Sequence, residues 1–87
     1  MNKFIYKVGK WLENPDSVRQ EERCKNKEEA ANAAYAVAYD YDDDAAYHAA
    51  YFAAENNPEA AIKWVNKYFE VTGEDKKDYI NAIEEEK

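Results

Sequence analysis

Between residues 30 and 54 the chain carries five Ala-Ala pairs, at 30–31, 33–34, 45–46, 49–50 and 53–54. Alanine is the best helix former and gives up no side-chain entropy on folding, so this stretch is committed to helix. Its small side chain also lets helix axes approach closely. The few large rings, Trp11, Trp64, Phe52 and Phe69, must then fill whatever space remains. With two glycines and two prolines in 87 residues, the sequence offers few breaks and almost no support for strands. The expected fold class is all-α, a compact bundle of four to six short helices with tight turns, forming a single helical domain over residues 1–87. In such a layout sequence neighbours pack antiparallel.

Local signals place the elements. Phe4, Val8, Trp11 and Leu12 fall on one stripe at helical spacing, with Lys3, Lys7 and Lys10 toward the other side, which predicts an amphipathic first helix. Asn14-Pro15 ends it, because the residue before proline avoids the helical region, and the same pair opens a short helix expected to reach about Lys25. Asn26 followed by Glu29 has capping-box spacing and predicts a further helix from Lys27. From there three blocks align at a period of 15, residues 28–42, 43–57 and 58–72. Each begins with one or two residues that include an acid, and Ala-Ala follows. Asn57-Pro58 marks the start of the third block and Thr72-Gly73 its stop, and by analogy Asp42 caps the second. Two helices are expected across residues 27–55, since Tyr35 and Tyr39 would point nearly opposite to Tyr47 and Tyr51 on one long helix. The last segment, from Asp75 to Glu86, presents Tyr79, Ile80 and Ile83.

The net charge of −7 is unevenly spread: +3 over residues 1–27, −8 over 28–60 and −2 over 61–87. The middle third has no lysine or arginine, so it should repel a nucleic-acid backbone and attract basic protein surfaces. Direct nucleic-acid binding is not expected. Nor is membrane association, because the first helix is short, contains Gly9 and has the face of a core-packing element. The single cysteine, Cys24, fits a reducing, intracellular compartment.

Few residues suggest catalysis, and no enzyme activity, cofactor or metal is expected. The run Asp40, Asp42, Asp43, Asp44 resembles the start of a calcium loop, but Ala45 stands where the loop needs glycine and Tyr51 where it needs a bidentate glutamate. His48 is the only histidine. There is no glycine-rich phosphate loop and no base beside Cys24 in sequence. What stands out is tyrosine interleaved with acid: Tyr35, Tyr39, Asp40, Tyr41, Asp42, Asp43, Asp44, Tyr47, Tyr51 and Glu55. Tyrosine suits surfaces where one side of a ring is buried and its hydroxyl is wet, and it is common in binding hot spots. These ten residues form the candidate partner-binding set. The plainer alternative is that tyrosines fill space between alanines and the acids keep the protein soluble.

The segments WLENPDSVRQEE (11–22) and KYFEVTGEDKKDY (67–79), with the Ala/Tyr/Asp-rich centre between them, resemble small accessory proteins of tailed bacteriophages. The resemblance implies a protein made in the host cytoplasm, of a class that often inhibits a host enzyme or defence system. It brings no assigned activity onto particular residues. The expected partner is a basic host protein that itself binds nucleic acid, inhibited or modulated through the acidic centre, with nucleic-acid mimicry one form of that contact. The alternative is a self-assembling helical protein, a homo-oligomer with no host target.

Overall fold

The computed structural model describes residues 1–36 and 41–86. Its helices are α1 (Lys3–Glu13), α2 (Gln20–Ala36), α3 (Tyr41–Ala54), α4 (Pro58–Thr72) and α5 (Lys76–Glu85), with a 3-10 turn at Pro15–Ser17 between the first two. No strand occurs among the described residues. The radius of gyration, 11.8 Å, is close to the roughly 12 Å of one compact unit of this length. Tyr39 and Asp40 lie outside the described residues.

Where the local signals are strong, the helices begin and end on them. Asn2 Oδ1 accepts the N–H groups of Phe4 and Ile5 at 2.9 and 3.1 Å and opens α1. Asn57 Oδ1 accepts Ala60 N–H at 3.2 Å, Pro58 follows it, and α4 stops at Gly73, whose φ of 74° is left-handed. Asp75 caps α5 through Lys77 N–H at 2.9 Å. Each cap satisfies backbone groups that the ends of a helix leave unpaired.

The early part of the chain departs from expectation. Asn14 caps only a three-residue turn, accepting Asp16 N–H at 3.2 Å, and the helix expected from Pro15 to about Lys25 is continuous only from Gln20 on, as the start of α2. Val18 is extended and 1% exposed, so the chain straightens to bury it before α2 starts at Gln20. No break occurs at Lys27. Asn26 lies within α2, buried, and its Nδ2 donates to the Phe4 carbonyl at 3.2 Å. The side chain that looked like a cap is a tie to α1, since a buried amide must find a partner somewhere.

Helices α2 and α3 pack side by side and antiparallel, which excludes one long helix over 27–55. Gln20 Nε2 donates to the Ala54 carbonyl at 3.3 Å and Arg23 Nη1 to the Ala53 carbonyl at 2.9 Å, while Tyr35 lies near Tyr47. Helix α3 is already formed at Tyr41, so Asp42 sits in its first turn and is not its cap. Arg23 also donates to Asn56 Oδ1 and lies 4.9 Å from the centroid of the Trp11 ring. It is a buried cation held by the negative end of α3 and by an aromatic face, with its Nε unpaired among the described residues.

Alanines make the centre. Ala46, Ala49, Ala50 and Ala61 are fully buried, and the interior around them is completed by Phe4, Ile5, Val8, Trp11, Val65, Tyr68 and Tyr79. Ile5 takes a core place that the first-helix stripe assigned to Leu12, which is half-buried. Trp64, Phe52 and Phe69 pack on the outside of this core.

A hydrogen-bonded acid closes the far end. Glu74 accepts the Tyr68 hydroxyl at 2.6 Å and the Tyr79 hydroxyl at 2.5 Å, and the Asn2 N–H donates to the Tyr79 oxygen at 2.8 Å. Burial alone would raise the Glu74 carboxyl, but the two hydroxyl donors outweigh it and hold it below the ordinary value. Burial, then the bond to Glu74, pushes both tyrosines up. A carboxyl lowered by folding stabilises the native state above its unfolded pKa, and that contribution disappears as pH falls through the folded one. The raised tyrosines contribute fully below their unfolded value of about 10 and lose that contribution as pH rises past it. A pH series of melting temperatures should therefore fall at both extremes. Glu74→Gln should be less stable at neutral pH and show a shallower acid limb; an unchanged acid limb would remove Glu74 from this role.

Candidate partner-binding face

An α-helix turns about 100° per residue. On α3 this puts Tyr41, Asp44, His48 and Tyr51 on one stripe, with Tyr47 beside it and Glu55 just past the helix end. Ala46, Ala49, Ala50 and Ala53 face the opposite way into the core. Asp44 and Glu55 are exposed, and Tyr41 and Tyr51 are 66% and 37% exposed. Tyr47 and His48 are half-buried.

The rings are contiguous across three helices. Tyr47 lies 6.5 Å from Tyr35 of α2, 6.3 Å from Tyr51 and 5.4 Å from His48, centroid to centroid. His48 in turn stacks on Trp64 of α4 at 4.4 Å and 24°. Tyr35 is 81% exposed, so the row runs from an open ring at α2 to a half-buried indole at α4. His48 Nδ1 lies 2.7 Å from the Asp44 carbonyl oxygen and 3.5 Å from its Oδ1. Because a carbonyl only accepts, Nδ1 carries the hydrogen, and this local bond fixes the imidazole against Trp64.

The three successive aspartates do not act as one patch. Each is rotated about 100° from the next, so only Asp44 joins the outer stripe, while Asp42 falls on the side of the core alanines and Asp43 between the two, both half-buried. All three sit in the first turn of α3, where the helix dipole favours negative charge. Of the candidate set, the structure brings together Tyr35, Tyr41, Asp44, Tyr47, Tyr51 and Glu55, and it separates Asp42 and Asp43 from them.

Two features of this face are invisible in the charge of the middle segment. The Lys27 ammonium, from the neighbouring helix, lies 5.6 Å from the Tyr51 ring centroid. Lys63 and Lys67 line a shallow recess with Trp64. The segment lacking cations in sequence is thus bordered by cations in space. His48 could have been found by the same spacing that links Asp44 to Tyr51, whereas Trp64 arrives only through the packing of α4 on α3.

Among the described residues no group of three or more His, Cys, Asp or Glu side chains is placed to hold a metal ion, and no helix is long and apolar enough to cross a membrane. Cys24 is a free, half-buried thiol. No protein-family model matches the chain, and no curated protein or solved structure matches it. Fold and face together define an all-helical bundle carrying a tyrosine row edged by acids.

Proposed function

We propose that this protein binds a basic protein partner through the outer stripe of α3, with Tyr35, Tyr47 and Tyr51 as the contact rings and Asp44 and Glu55 as the charges that orient the partner. The observation that carries the reading is the continuity of half-exposed rings across α2, α3 and α4, on a face where the chain's own Lys27 already approaches a tyrosine ring. Exposed ion pairs contribute about 0.2–1 kcal/mol each and exposed cation–π contacts about 0.5–1. The acids therefore steer association and make it salt-sensitive, while burial of the tyrosines holds the complex.

The resemblance to bacteriophage accessory proteins supports reading the partner as a host protein, inhibited or modulated by this contact, and the acidic face favours one whose basic surface binds nucleic acid. Asp44 and Glu55 are eleven residues apart, which is about 16 Å along a helix. Duplex DNA carries roughly one charge per 1.7 Å of axis. Two carboxylates over that span favour an acidic protein interface over imitation of a phosphate array.

Affinity capture from bacterial lysate at low and high salt tests this, using wild type, Asp44→Asn/Tyr47→Ala/Tyr51→Ala and Asp42→Asn/Asp43→Asn, each with its helical signal checked by circular dichroism. Wild type and the Asp42/Asp43 variant should retain a basic protein at low salt, and the outer-stripe variant should lose it by roughly tenfold or more. Equal retention by the outer-stripe variant would contradict the proposal. Recovery of this chain alone would favour self-assembly.

A further inference from the structure

Helices α1, α4 and α5 enclose an apolar groove of about 210 Å³ on another side of the molecule. Its floor is Ile5, Gly9 and Leu12, and its walls are Ile62 and Phe69 on one side and Ile80 and Ile83 on the other. Trp64 lies roughly half a turn of α4 away from both Ile62 and Phe69, so the groove and the tyrosine row do not share a surface.

The groove has a direction. Asn2 meets Tyr79, Gly9 lies beside Ile83 and Lys10 pairs with Glu86 at 3.0 Å, so α1 and α5 run the same way. Phe69 packs on Tyr79 at 5.1 Å, which puts it with Lys76 at one end and Ile62 with Glu13 at the other. Neither Lys76 nor Glu13 makes an ion pair among the described residues. The trough is thus mainly apolar, with Asn66 of α4 a polar group in its wall, basic at one end and acidic at the other. From Ile5 to Glu13 it spans about 12 Å, or two turns of helix.

Gly9 is the detail that neither backbone nor packing accounts for. It is inside α1 without positive φ, where glycine is less stable than alanine, and a Cβ there would meet Ile83 Cδ1 at an ordinary 3.5 Å. What its missing methyl group does is leave the floor of the groove open.

We infer that this groove receives an amphipathic helix of two to three turns from a partner protein, apolar at i, i+4 and i+7, with an acidic residue over Lys76 and a basic one over Glu13. Such a helix would cover the two rims, where Ile62 and Ile80 are 46% and 36% exposed. A small molecule fits less well, because ligand pockets usually hold about 300–1,000 Å³ and cover most of the ligand.

The test is selection of a displayed library of helix-biased peptides on the wild-type protein, followed by binding of the enriched peptides to Gly9→Ala and Lys76→Glu. The enriched sequences should carry the apolar spacing and the two end charges. Gly9→Ala should melt at a higher temperature than wild type yet bind these peptides at least tenfold more weakly. Lys76→Glu should weaken them as well, with binding restored when the acidic end of the peptide is made basic. Enrichment without that pattern, or peptides that bind Gly9→Ala as tightly as wild type, would overturn the inference. The outer-stripe variant of α3 should bind the peptides normally, so this test stands apart from that of the tyrosine face.

Discussion

Trp11→Ala is expected to cost about 3–5 kcal/mol, read as a drop in the urea midpoint with little change in slope. The ring is 5% exposed at the junction of α1 and α2, where it fills volume that the surrounding alanines do not supply. It also covers Arg23, whose guanidinium lies 4.9 Å from the ring centroid. Removing it opens a cavity and strips a buried cation of one of its few partners, in a domain whose total stability is on the order of 5–15 kcal/mol. Trp11→Phe should recover part of the loss. A cost under about 1 kcal/mol would mean that the site collapses freely and that the core does not depend on this ring.

Ala49→Leu is expected to destabilise by about 1–3 kcal/mol or more, although it adds apolar surface. Ala49 is 0% exposed on the inner side of α3, which contacts α1, α2 and α4, so a larger side chain must push helices apart. For a domain of this size each kcal/mol lowers the melting temperature by roughly 4–8 °C. Ala36→Leu, at the exposed end of α2, should stay within about 0.5 kcal/mol and serves as the control. An unchanged melting temperature for Ala49→Leu would show that the helices are not in close contact at this point.

What was legible in the sequence was mostly local. Asn57-Pro58, Gly73 and Asp75 act on backbone groups within four residues, so the bounds of α4 and α5 could be read directly. The alanine pairs announced close helix packing, and the opposed tyrosine directions argued for two helices where α2 and α3 now stand antiparallel. The errors came where a distant partner decided. Asn26 and Glu29 have the spacing of a cap, but the amide of Asn26 is used on the Phe4 carbonyl, and α2 runs through. Val18 drew the chain into extended backbone because its burial outweighed the helix start implied by Pro15.

The candidate site shows the same division. Periodicity links Asp44, Tyr47, Tyr51 and Glu55; the first three do share a side of α3, and Glu55 follows just past its end. Counting acids along the chain grouped Asp42 and Asp43 with Asp44, and helical rotation separates them. Trp64 and Lys27 reach the face from other helices, and no spacing within residues 28–60 could have brought them in.

The most direct test of the tyrosine face is titration of isotopically labelled protein with a short arginine-rich peptide, followed by nuclear magnetic resonance. Signals of Asp44, Tyr47, His48, Tyr51 and Glu55 should move first, and added salt should reverse the shifts. The consecutive acids Glu84, Glu85 and Glu86 at the end of the chain provide the internal comparison. If those residues respond while the α3 stripe does not, the peptide is drawn by acidity alone, and the tyrosine row is not the binding face.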